Sequence, residues 1–118
     1  MIAIVDDDKS VRAAMASLVR SLGYNHAAFD SAEEFLKSGK ISDTSCLITD
    51  VQMPGLTGID LQERLIAKGH RIPVIFLTGY PDENVRARAM KAGAIGFLVK
   101  PVDVDQLIGC IKKVLQAA

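Results

Sequence analysis

Four short apolar runs, Ile2–Val5, Cys46–Thr49, Val74–Leu77 and Ile95–Val99, are each followed by polar residues with reactive chemistry: Asp6 and Asp7, Asp50, Thr78, and Lys100. Each run is too short for a helix and apolar at successive rather than alternate positions. That is the pattern of a parallel strand buried between two helical layers. In an open parallel sheet the carboxyl ends of all strands lie along one edge, where ligands bind at the topological switch point. The sequence therefore predicts that a nucleophile-capable carboxylate, further acids, a hydroxyl and an ammonium converge on one site.

The intervening stretches carry helical periodicity. After Asp8, the residues Val11, Met15, Leu18, Val19 and Leu22 form one apolar stripe that Gly23 can stop. Tyr24 to Phe29 reads as a weaker edge strand, and Ser31 with Glu34 signals the start of a second helix ending at Gly39. A third helix is expected from Gly58 to Gly69 on Leu61, Leu65 and Ile66, and a fourth from Asp82 to Gly93 on Val85, Ala89 and Met90. Asp103 can cap a fifth, whose stripe is Leu107, Ile108, Ile111, Val114 and Leu115. The βα pattern repeats five times. Right-handed crossovers then predict an α/β fold, a doubly wound, flavodoxin-like five-stranded parallel sheet with two helices on one face and three on the other. Its strand order, 2-1-3-4-5, is taken from known folds of that kind. One domain spans 1–118.

Composition narrows the function. Lys plus Arg and Asp plus Glu number 14 each, so there is no basic field for nucleic acid or an anionic membrane, and neither is expected as a direct partner. No run approaches the ~18 apolar residues of a membrane span, and Met1 leads directly into the first run without a signal peptide. Cys46 and Cys110 show no metal-ligand spacing and read as buried small hydrophobes of a reducing cytoplasm. His26 and His70 are isolated, with structural or surface roles.

Crowded carboxylates repel, and a raised pKa or a bound cation resolves the repulsion. The all-oxygen set Asp6, Asp7 and Asp50 favours Mg²⁺ over zinc, since thiol and imidazole are absent from these positions. Removing one charge, as in Asp7→Asn, is then expected to stabilise the metal-free fold. The bland reading, that the Asp6–Asp8 run only caps the first helix, suits Asp8 best.

Val5-Asp6-Asp7-Asp8, Leu47 through Gly58, Phe76-Leu77-Thr78-Gly79 and Phe97-Leu98-Val99-Lys100-Pro101 together resemble the signature blocks of response-regulator receiver domains of bacterial two-component systems, in the right order along the whole chain. The match is similar in detail to receivers that precede a LuxR-type helix-turn-helix output domain.

The resemblance implies that Asp50 accepts a phosphoryl group from the phosphohistidine of a sensor histidine kinase. Asp7, Asp50 and the Gln52 backbone carbonyl would bind Mg²⁺, with Asp6 acting through water. Lys100 and Thr78 would contact phosphoryl oxygens, and Lys100 could pair with Asp50 beforehand. A cis peptide between Lys100 and Pro101 is implied as well. Phe97 stands where receivers carry an aromatic switch residue, coupling Thr78 to a surface of helix 4, strand 5 and helix 5 that would control an output domain or partner and could form a phosphorylation-dependent homodimer. The Gln52 and Tyr80 side chains would screen the acyl phosphate, or Tyr80 would instead contact partners. On this reading the chain is a signalling domain with self-phosphorylation and self-dephosphorylation activity only. A Mg²⁺-dependent phosphatase with an aspartyl-phosphate intermediate is the alternative, opposed by the lack of a second acid two residues after Asp50. A flavin binder is a third, opposed by the acidic loop after the first strand.

Overall fold

Strands β1 (Ile2–Val5), β3 (Cys46–Asp50) and β4 (Val74–Thr78) are buried at every position, as runs apolar on both faces require. They form the middle of one parallel sheet, flanked by β2 (His26–Phe29) and β5 (Gly96–Val99), in the order β2-β1-β3-β4-β5. The register aligns Ile4 with Ile48 and Ile48 with Ile75, so equivalent strand ends lie side by side. This computed structural model describes residues 1–115; positions 116–118 of the domain expected over 1–118 lie outside the described residues.

Strand pleating divides the core in two. Ile2, Ile4, Ile48, Ile75 and Leu77 pack against Met15 and Val19 of α1 (Lys9–Ser21) and Leu107 and Ile111 of α5 (Val104–Leu115). Ala3, Val5, Leu47 and Phe76 pack on the other face against α2 (Ala32–Lys37), α3 (Gly58–Ala67) and α4 (Glu83–Lys91). Two helices therefore cover one face and three the other. Gly23, Gly39, Gly69 and Gly93, the expected helix stops, all have positive φ. Asp8 caps α1 by accepting from the Ser10 and Val11 N–H groups, and Ser31, Asp82 and Asp103 cap α2, α4 and α5 in the same way.

Several details depart from the sequence reading. Ile66, Met90 and Val99 were assigned to buried stripes or a buried strand, yet all three are exposed. Ile66 and Met90 each directly follow a buried residue, Leu65 and Ala89, and so lie about 100° round the helix from the buried face, while Val99 ends β5, an edge strand. A 3-10 turn at Ile41–Asp43 has no periodic signal. Cys46 is buried, but Cys110 is only partly so.

Burial pushes the Cys46 thiol up to about 12, the nearby Cys110 adding to the shift and the N-terminal ammonium opposing it. Burial raises Cys110 too, with Lys113 opposing. In native protein at mildly alkaline pH, a thiol reagent is expected to modify Cys110 first and Cys46 only as the fold opens. Equal rates for the two, measured by mass spectrometry, would contradict this burial assignment.

Candidate functional site

The carboxyl edge of the sheet gathers the acids. Asp6 directly follows β1 and is 1% exposed; Asp50 ends β3 and is 6% exposed. Two carboxylates this buried need compensation. The Lys100 ammonium, just beyond β5, supplies it, with Nζ 3.0 Å from Asp50 Oδ2 and 3.2 Å from Asp6 Oδ2. Each carboxylate gives its other oxygen to a backbone donor: Asp8 N–H reaches Asp6 Oδ1 at 2.8 Å, and Gln52 N–H reaches Asp50 Oδ1 at 3.1 Å. Arg12, which the sequence reading did not single out, donates from Nη1 to the Asp6 backbone carbonyl at 2.8 Å and holds that strand end without neutralising the carboxylate. The Lys100–Pro101 peptide bond is cis.

Asp7 is exposed, but one oxygen from each of Asp6, Asp7 and Asp50 falls within 4.8 Å of the others. An all-carboxylate set with one open side fits a hard divalent cation that keeps several waters, and does not suit zinc. Burial raises the Asp6 carboxyl above its ordinary value and the charge of Asp50 adds to this, while the Asp8 N–H and Lys100 work against it. For Lys100, burial acts to lower the ammonium, but hydrogen bonds and charge from Asp50 and Asp6 outweigh it and hold the group above its usual value.

The opposite wall is the end of β4. Thr78 is fully buried and its hydroxyl donates to Gln52 Oε1 at 2.8 Å while accepting from Tyr80 N–H at 3.0 Å. The sequence reading assigned Gln52 a backbone role and a screening role; this side-chain contact was not legible in it. Tyr80 itself is exposed. Phe97 is partly buried, with its ring centroid 6.1 Å from that of Phe76, and lines a surface groove with Pro81, Asp82, Glu83, Arg86 and Val99.

The loop after Asp50 is anchored by a capping box that the sequence reading missed. Thr57 Oγ1 accepts from Asp60 N–H at 3.1 Å, and Asp60 Oδ2 accepts from Thr57 N–H at 3.0 Å. The signal was present as Thr-x-x-Asp, with Asp in place of the usual Glu or Gln. Gly58, first in α3, lies so close to Asp50 that a Cβ there would collide with the Asp50 carbonyl oxygen. The helix start is thereby pressed against the strand end that carries the central carboxylate.

The family model described as "Response regulator receiver domain" matches residues 2–112. The chain belongs to that family. This receiver domain is 42% identical over 118 residues to the response regulator protein TodT of Pseudomonas putida, covering all of this chain and 52% of TodT. It is 39% identical over 109 residues to the transcriptional regulatory protein FixJ of Azorhizobium caulinodans, covering 92% of this chain and 52% of FixJ. The chain thus spans about half the length of these curated relatives. The solved structure of the response regulator StyR superposes with a TM-score of 0.90 at 43% identity, over 98% of this receiver and 58% of the StyR chain.

Because burial, with a smaller contribution from the Asp50 charge, falls on Asp6 rather than on exposed Asp7, the stabilising substitution moves with it. The raised Asp6 carboxyl favours the fold at acid pH, and that contribution is lost as pH rises through its folded value. At neutral pH in EDTA, Asp6→Asn is expected to gain about 1 kcal/mol over the parent, whereas Asp7→Asn changes stability by less than about 0.5 kcal/mol. Urea melts measure both, and an Asp6→Asn protein less stable than the parent would contradict the assignment.

Proposed function

We propose that this receiver is a phospho-accepting switch, with Asp50 taking a phosphoryl group from the phosphohistidine of a sensor histidine kinase. The observation that carries the reading is the placement of the Asp50 carboxylate: one oxygen on the Lys100 ammonium, the other on the Gln52 N–H, beside two further acids at the sheet edge. In the transfer an Asp50 oxygen attacks phosphorus, and the P–N bond breaks. Its electron pair returns to the imidazole nitrogen, leaving an acyl phosphate. Lys100 then exchanges a carboxylate oxygen for a phosphoryl oxygen, and the Thr78 hydroxyl donates a hydrogen bond to another.

Asp7, Asp50 and the Gln52 backbone carbonyl would hold Mg²⁺. Asp6, whose oxygens are held by the Asp8 N–H and Lys100, would act through water, as the family resemblance implies. When bound, the ion supplies positive charge against the phosphoryl oxygens. The domain is a signalling element with self-phosphorylation and self-dephosphorylation activity, not a turnover enzyme.

The readout runs through Thr78 and Phe97 to the surface of α4, β5 and α5. Support comes from the shallow anchoring of α4, whose one fully buried residue is Ala89, and from the groove that Phe97 lines beside it. The greater length of the relatives, the name of FixJ as a transcriptional regulatory protein and the signature blocks support a LuxR-type helix-turn-helix output domain. The same surface is proposed to join two phosphorylated copies. Among the described residues no helix is long and apolar enough to cross a membrane; a cytoplasmic location is the proposal that suits the kinase and output partners.

Incubation with acetyl phosphate and Mg²⁺ is expected to add one phosphoryl group by intact mass. Asp50→Asn abolishes the shift, and Asp7→Ala suppresses it. Stoichiometric labelling of Asp50→Asn would show that another residue is the acceptor.

A further inference from the structure

A hydroxyl has one proton to give and two lone pairs to offer. In Thr78, which is fully buried, one lone pair receives the Tyr80 N–H at 3.0 Å and the single proton goes to Gln52 Oε1 at 2.8 Å, both at ordinary hydrogen-bond lengths. A phosphoryl oxygen on Asp50 is an acceptor only, so a bond from Thr78 to phosphate needs that same proton. The Gln52 bond and the phosphate bond are therefore mutually exclusive. Gln52 stands on the loop two residues beyond Asp50, and its own backbone N–H holds the Asp50 carboxylate at 3.1 Å. One residue thus binds the proposed acceptor through its main chain and restrains the proposed switch hydroxyl through its side chain.

We propose that the Gln52 side chain is a latch: it holds the Thr78 hydroxyl in the unphosphorylated state and competes with the phosphoryl group for its proton, which makes Gln52 a positioning residue for the switch step. The proposal rests on the phospho-accepting reading above. The latch lowers the sensitivity of the receiver, because part of the interaction energy of the phosphoryl group goes into releasing Thr78. Loss of one neutral hydrogen bond shifts such an equilibrium by about fivefold.

The test is a double-mutant cycle read with beryllium fluoride and Mg²⁺, a phosphoryl mimic that needs no kinase. Gln52→Met keeps the backbone and the length of the side chain but lacks a strong acceptor, and is expected to tighten mimic binding about fivefold, measured by calorimetry. In a Thr78→Val background, with no proton to release, the same substitution is expected to leave affinity unchanged; Thr78→Ala repeats the cycle should the valine variant fail to fold. Without mimic, the Thr78 hydroxyl proton is expected to be protected from exchange in the parent and to lose that protection in Gln52→Met, observed by NMR. Equal affinities of parent and Gln52→Met would overturn the latch while leaving the phospho-accepting reading intact. Tightening that persists without the Thr78 hydroxyl would also overturn it, since Gln52 would then be a steric screen. A parent that binds no mimic in Mg²⁺ would overturn the underlying reading, and the latch with it.

Discussion

Two buried carboxylates at the ends of neighbouring strands are tolerable only because one ammonium lies between them. Lys100 spans Asp6 and Asp50 at 3.2 and 3.0 Å, and the backbone donors of Asp8 and Gln52 take the oxygens that the ammonium does not. Removing either carboxylate relaxes repulsion, whereas removing the ammonium would leave two buried negative charges facing each other. The Asp50 carbonyl pressed by Gly58 and the Asp6 carbonyl gripped by Arg12 are arrangements that hold the carboxylates where this balance works.

What the sequence could show was periodic. Successive apolar positions marked Ile2–Val5, Cys46–Thr49 and Val74–Leu77 as central strands, and the end of each run marked a site residue. Periodicity is silent on which acid of Asp6-Asp7-Asp8 turns inward, because pleating and helix entry decide that after the strand has docked. It is equally silent on Gln52, in the loop after β3, and Thr78, the last residue of β4, which lie 26 positions apart and meet only because β3 and β4 are neighbours in register. Ile66, Met90 and Val99 failed as core assignments for a related reason: hydrophobicity says what can be buried, and the finite area of the sheet says what is.

The helices differ in how firmly they are held. Helix α3 buries five of its residues, whereas α4 buries one, Ala89, whose carbonyl accepts from Gln62 Nε2 at 3.2 Å, and adds a surface ion pair from Arg88 to Glu63. Such a pair contributes little at an exposed position. The fold therefore holds α3, which starts against Asp50, more firmly than α4, which follows Thr78, the asymmetry that a two-state response of the proposed kind requires.

The Asp6–Lys100 contact joins residues 94 positions apart. Closing so long a loop is slow, and in a parallel sheet it waits on the docking of the last strand. A chain emerging during synthesis exposes its acids first and acquires their counter-charge only once β5 and Lys100 have followed. The half-made domain therefore carries unbalanced acids, and assembly of the charge-balanced pocket coincides with completion of the sheet.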